Sequence, residues 1–401
     1  MDPVLVLFLC GLILFFGLFA EWLFEKTHIP DVFWMVLLGL AMQGVVGRPK
    51  GVDDIALLFT TFALIFIVFE GASHIPIRQA ATHFMGSVRL SLIHFVFGLF
   101  IGTFLGKLVG LNWPIALILG CMTPALSGGI LGQIQKYIPT QSGTGTMLAF
   151  ESALTDVLSI LGVVTVLSFS NLTFSTFLNS VLSFLILSPA VGLLLALLWD
   201  MLLRKWITQH SYILTVAFLL MVYSITEYAG ANGSIAAMAF ALTLGNMKSV
   251  LSVISKKGNG NGRNISTAEK RFYSEISFLI RSFLFVWMGV IVNFAEPRYL
   301  IVGCLACMLL FVVRAYAVHT LRSIPLKDRV YVGAIAPKDV TPIVLATLAG
   351  AKVVGAGVLV NVAFGLVITS ILLTSLFVSL MIRGRFEGLD VLGRTLAKKF
   401  R

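Results

Sequence analysis

Charge is what this chain has least of. Lys, Arg, Asp and Glu make up 12% of its 401 residues, where soluble domains carry about 25%. An ordinary soluble enzyme or binding module is thereby excluded. Cysteine is scarce, and Cys10, Cys121, Cys304 and Cys307 all fall in apolar segments. Cys304 and Cys307 form a CxxC, but no second ligand pair accompanies it, and the surround favours packing over a metal or redox centre. Histidine is sparse as well. His94 and His319 lie on distant segments without the convergent His/Asp or Ser/His/Asp set a membrane enzyme needs. Both read as buried, satisfied histidines rather than pH sensors. Met1-Asp2-Pro3 lacks the basic start of a cleaved signal, so the first apolar run reads as a retained helix.

Apolar residues fill the space that charge leaves. They make up 58% of the chain, with a mean hydropathy of +0.98. Apolar runs of about 20 residues recur along the whole length, which is the pattern of an all-α polytopic membrane protein. We read about thirteen spans, near 4–24, 30–47, 53–73, 84–110, 114–134, 144–169, 175–203, 211–228, 232–247, 271–293, 299–321, 329–350 and 356–382.

The net charge of +11 does not indicate nucleic acid, because its placement is one-sided. With the N-terminus outside, twenty Lys and Arg fall in inner loops or the tail, whereas only Arg48, Lys50, Arg298 and Lys352 fall outside. The expected topology is N-out and C-in, in what reads as a prokaryotic cell membrane. The inner loop with Gly258-Asn-Gly-Asn-Gly262 reads as a flexible linker, since no strand precedes it and no Walker pattern follows. The basic tail, 383–401, carries interspersed apolar residues suited to the anionic lipid of the inner leaflet.

Two features break this apolar regularity. The first is Glu151-Ser152-Ala153-Leu154-Thr155-Asp156, which places two carboxylates inside a spanning segment. Ionisable groups at membrane depth are expensive and mark ion pathways. Ser152 and Asp156 share a helix face, as do Glu151 and Thr155. A hydroxyl one turn from a carboxylate suits a small desolvated cation.

The second is a pair of interrupted helices. The fifth span holds Thr123-Pro124-Ala125-Leu126-Ser127-Gly128-Gly129, and the twelfth holds Ala336-Pro337-Lys338-Asp339-Val340-Thr341-Pro342. If the seventh span is a linker, spans 1–6 and 8–13 form two inverted six-helix repeats. Both breaks then fall at the fifth position of a repeat, the arrangement of transporters whose site lies at crossed discontinuous helices. Such breaks free carbonyls for cations and bring together helix ends that charges must offset.

These motifs resemble the monovalent cation:proton antiporter superfamily, in its sodium(potassium)/proton exchanger branch. Phe69-Glu70-Gly71-Ala72 is similar to the family's FEGA element, Thr123-Pro124 to its broken helix, and Glu151-Ser152-x-x-Thr155-Asp156 to its ES-x-x-N-D motif. The segment Phe278 to Gly289 resembles the arginine-bearing helix through Arg281, and Ala336-Pro337-Lys338 resembles the A-P-R-G element. The resemblance implies a homodimer with an interface part and an ion-binding core that shifts like an elevator. Residues 1–110 and 175–270 would contribute mainly to the former, and 53–170 and 271–350 mainly to the latter. It implies no enzyme activity and no resident cofactor. The expected function is antiport of Na⁺, Li⁺ or K⁺ against H⁺, serving pH homeostasis.

By the same resemblance, Asp156 binds cation and proton in turn. Ser152 and carbonyls near Thr123, Ala125 and Leu126 complete the shell around the monovalent cation. Glu151 would pair with Lys338, Arg281 would steady helix ends at the crossing, and Glu70 would line the access path. Three departures from the family pattern stand out: Thr155 replaces an asparagine, the first break lacks an aspartate, and Lys338-Asp339 replaces arginine-glycine. Lys338 could therefore pair with Asp339 instead. With Thr155 where a second aspartate accompanies electrogenic exchange, an electroneutral cycle is expected. The alternative is an inverted-repeat symporter for an organic solute, which would want more polar side chains across the core.

Overall fold

The computed structural model describes residues 3–27, 29–46, 53–75, 77–135, 142–167, 182–205, 211–254, 264–321, 324–338 and 340–382. The 258–262 linker, Asp339 and the 383–401 tail lie outside these residues. Among the described residues every regular element is helical. Apolar segments in lipid must satisfy their backbone groups internally, and a helix does so within one segment.

In chain order the helices are α1 (Pro3–Thr27), α2 (Asp31–Val46), α3 (Asp53–Ser73), α4 (Ile77–Leu108), α5 (Trp113–Met122), α6 (Gly128–Gln135) and α7 (Ser142–Leu167). A π turn, Ser183–Leu187, leads into α8 (Ser188–Lys205). Then follow α9 (Ser211–Tyr228), α10 (Gly233–Gly245), α11 (Met247–Ile254), α12 (Thr267–Ile291), α13 (Pro297–Ala317), α14 (Leu326–Ala334), α15 (Val340–Lys352) and α16 (Leu359–Ile382). Where the expected spans fall on described residues, they overlap these helices. Seven described helices are long and apolar enough to cross a membrane on their own, and α10 with α11 form a further candidate bent by 87°.

The two breaks arise from local chemistry. Asn112 caps α5 by accepting from the Ile115 amide at 3.1 Å, and Pro114 occupies its first turn. The helix then stops at Pro124, whose ring cannot continue the ladder. Ser127 restarts the chain, its Oγ accepting from the Ile130 amide at 3.0 Å. Pro337 separates α14 from α15 in the same way. Where the breaks meet, the Ser127 amide donates to the Pro337 carbonyl at 2.8 Å.

Packing gathers the helices around two cores. The larger, which includes Ile118, Leu119, Met122, Leu126, Val340 and Ile343, surrounds the crossing. There α4 packs on α5 and α7, α13 packs on α16 and α4, and α15 rests on α16, α5 and α7. The smaller core joins α3, α8, α9, α10 and the start of α12 through Phe69, Trp199, Phe240 and Tyr273. Helix α12 packs chiefly on α2 and α3, with a lesser contact to α15. The 271–293 segment therefore lies chiefly beside α2 and α3.

Candidate functional site

Between the two groups of helices lies a cavity of about 510 Å³ whose lining includes Glu70, Gly128, Ser152, Asp156, Ser274 and Arg281. Glu70 ends α3, Gly128 opens α6, Ser152 and Asp156 come from α7, and Ser274 and Arg281 from α12. Both Ser152 and Asp156 face this space, as their four-residue spacing requires. Gly128 keeps the first break close to α7: a Cβ there would come within 2.9 Å of Ser152 Oγ.

The two carboxylates of α7 have separate surroundings. The Glu151 side chain is 0% exposed and forms an ion pair with Arg314, whose side chain is also 0% exposed. The guanidinium spans both carboxylate oxygens, with Nη1 on Oε1 and Nη2 on Oε2 at 2.9 Å. Arg314 Nε also donates to the Val332 carbonyl at 2.7 Å. This corrects the expected Glu151–Lys338 pair. A planar guanidinium matches a carboxylate with two parallel bonds, and α13 delivers one directly to Glu151.

Lys338 has a different partner. Its Nζ donates to the Ala125 carbonyl at 3.0 Å, and its amide donates to Ser370 Oγ of α16 at 2.9 Å. The ammonium thus lies at the crossing on one of the carbonyls expected to face the cation. Thr123, Ala125 and Leu126 are all buried at the first break.

The hydroxyls turn inward to their own helices. Ser152 Oγ donates to the Ala149 carbonyl at 2.9 Å. Thr155 Oγ1 lies 2.9 Å from both the Glu151 and Ser152 carbonyls, and Thr123 Oγ1 donates to the Leu119 carbonyl at 2.6 Å. Such back-bonding is the usual resting place of a helical hydroxyl. Ser152 still lines the cavity, whereas Thr155 is buried away from it.

Arg281 lines the cavity wall. Its Nη2 lies 3.5 Å from Glu70 Oε2, and its Nε donates to the Ser277 carbonyl at 3.3 Å. Ser274 Oγ donates to Glu70 Oε1 at 2.8 Å. The cavity wall therefore carries both Asp156 and a partly exposed ion pair. Of the two histidines, His319 is exposed and His94 is buried, yet neither His94 ring nitrogen has a hydrogen-bond partner among the described residues. The buried, satisfied state expected of both is seen for neither. Among the described residues no group of three His, Cys, Asp or Glu side chains converges as a metal site would require.

Arg314 is the site residue that sequence reasoning passed over. Its signal was present: an arginine inside an apolar span needs an acid.

A family model described as "Sodium/hydrogen exchanger, transmembrane" matches residues 5–384. The Na(+)/H(+) antiporter 1 of Methanocaldococcus jannaschii is 26% identical over 386 residues, covering 88% of this chain and 85% of that protein. The solved structure of the sodium proton antiporter MjNhaP1 from the same organism at pH 8 aligns with a TM-score of 0.78. Its identity is 21%, over 94% of this chain and 100% of the other. An electron-microscopy structure of that antiporter aligns with a TM-score of 0.75 at 22% identity, over 98% and 99% of the two chains. At these identities the structural likeness concerns the fold.

Proposed function

The chain belongs to the transmembrane sodium/hydrogen exchanger family, and on that premise we propose that a monovalent cation and a proton compete for Asp156 as they are exchanged. It is an integral membrane protein of a transporter family, and its relatives are named as Na⁺/H⁺ antiporters. The observation that carries the reading is the division of the two α7 carboxylates. Glu151 is fully enclosed and held by Arg314, whereas Asp156 faces a cavity of about 510 Å³ beside the crossed breaks. A carboxylate that binds either a proton or a cation, never both, couples the two fluxes. Na⁺ is the favoured cargo, with Li⁺ and K⁺ to be compared. Ser152 can turn its hydroxyl from Ala149 toward the ion, and Leu126 and Thr123 lie at the break that would supply carbonyls.

The proposal extends to the whole molecule. Thirteen spans in two inverted repeats are supported by the two proline breaks and their meeting at Ser127 and Pro337. The lysine and arginine bias supports N-out and C-in. It assigns to the inside the end of α3 that carries Glu70 and His74, so the cavity is an inward-facing one. The helices around the crossing would move against the α2, α3 and α12 group within a homodimer. Thr155 in place of a second acid supports an electroneutral cycle. The organic-solute symporter reading is not favoured.

Exchange followed with a pH dye in proteoliposomes, with Na⁺, Li⁺ and K⁺ offered to wild type and Asp156→Asn, tests the reading. Loss of all cation-dependent signal in a folded Asp156→Asn protein is expected, and retained exchange would remove the central claim. A rate that responds to an imposed voltage would count against electroneutrality.

A further inference from the structure

His94 stands in a row of α4 residues that face the crossing. Ser87 Oγ donates to the Met147 carbonyl at 2.9 Å, and Ser91 Oγ donates to the Glu151 carbonyl at 3.3 Å. One turn past His94, Gly98 lies so near the first break that a Cβ there would come within 2.9 Å of Pro124 Cβ. Helical spacing therefore sets the imidazole between the Glu151 level of α7 and the Pro124 break. The side chain is fully buried, and among the described residues neither Nδ1 nor Nε2 has a hydrogen-bond partner. Buried polar atoms are rarely left so, and a neutral imidazole offers one donor and one acceptor.

From the elements packed on α4 and the second break, the titratable and charged groups of this layer are Cys121, Glu151, Asp156, Cys307, Arg314 and Lys338. Lys338 reaches this region through its bond to the Ala125 carbonyl, next to the Pro124 that Gly98 of α4 meets. Arg314 is already committed to Glu151 and the Val332 carbonyl. Lys338 has three ammonium donors, of which one goes to the Ala125 carbonyl. A buried ammonium with donors to place lies in the same layer as a buried imidazole with an acceptor to fill.

We propose that His94 is a positioning residue that accepts a hydrogen bond relayed from the Lys338 ammonium through one buried water, and so governs how firmly that ammonium holds the Ala125 carbonyl. Its consequence for exchange rests on the antiport reading above: an ammonium seated on a carbonyl of the first break competes with the transported cation for that oxygen. Losing the imidazole acceptor removes a bond that favours the charged amine. The variant should then fail first at alkaline pH.

The test is Na⁺-driven exchange in proteoliposomes across pH 6 to 9, for full-length wild type, His94→Gln and His94→Leu. The glutamine amide keeps an acceptor, and leucine has none. In His94→Leu the alkaline limb should move toward acid by roughly half a pH unit or more, with an altered KM for Na⁺. His94→Gln should restore the wild-type limb. An unmoved profile in a folded His94→Leu protein overturns the proposal. Should that variant not fold, ¹⁵N spectra of histidine-labelled wild type, assigned with His94→Gln, read the ring directly. An acceptor nitrogen at the shift of free neutral imidazole overturns the proposal, and a hydrogen-bonded shift supports it. Absence of Na⁺-dependent exchange in wild type would sink the antiport reading and leave the spectral result to stand on its own.

Discussion

Among the described residues, the Glu151–Arg314 and Glu70–Arg281 ion pairs each link distant parts of this chain, and they sit in different surroundings. Glu151 and Arg314 are sealed in the larger core with side chains 0% exposed. Glu70 and Arg281 meet at 3.5 Å on the cavity wall with side chains 15% and 17% exposed. The first pair has no water to fall back on, so each member depends on the other for its solvation. The second keeps part of its hydration and a looser geometry, so its members can separate at modest cost. Burial makes one a brace and leaves the other a contact that can open and close.

Arg314→Ala is the sharpest way to break that contrast. Removing one member of a buried pair strands the other charge and costs on the order of 3–5 kcal/mol. Unfolding of the purified protein in detergent should show it, and Glu151→Ala should cost a similar amount. The double variant should cost less than the two losses added together. Stability within about 1 kcal/mol of wild type in Arg314→Ala would end the description of this pair as a brace.

Glu70→Gln should be milder, near 1 kcal/mol in stability, because water can replace the lost partner. Its main effect should be on exchange, as a several-fold change in the apparent KM for Na⁺ that diminishes at high ionic strength. A KM unchanged at low salt would place Glu70 outside the ion's route.

Ser152→Ala sharpens the site itself. Its hydroxyl already donates to the Ala149 carbonyl, so stability should change by no more than about 0.5 kcal/mol. A raised KM for Na⁺ would identify the hydroxyl as a ligand, and an unaltered KM would leave it a helix-bonded bystander. Least affected should be Arg271→Ala. Arg271 and Glu275 lie 3.5 Å apart with side chains 83% and 69% exposed, and such pairs contribute about 0–1 kcal/mol. A large loss in this variant would mean that exposure is a poor guide to what these pairs do.

The sequence made some of this legible and hid the rest for physical reasons. Pro124 and Pro337 announced the two breaks because proline removes a donor and clashes with the preceding turn wherever it stands. The apolar spans were visible because membrane depth sets their length. The partner of Glu151 was not visible. Arg314 is 163 positions away, and no local pattern tells an acid which of several buried bases will reach it. Lys338, beside the second break, was the expected choice, but its ammonium turns to the Ala125 carbonyl. By type, Ser152 reads as a cation ligand and Thr155 as a replacement for an asparagine. Their actual bonds depend on rotamers, which a one-dimensional pattern does not carry.

The link from the Ser127 amide to the Pro337 carbonyl at 2.8 Å joins the two halves through main-chain atoms alone. Every residue type except proline carries that amide, and every residue carries that carbonyl. Side chains around the crossing can therefore drift, as lysine for arginine and threonine for asparagine already have, while the seam that aligns the two breaks stays the same. Relatives of very different composition can inherit one crossing geometry and tune ion preference on top of it. At position 127, proline is the single replacement that would delete the seam outright.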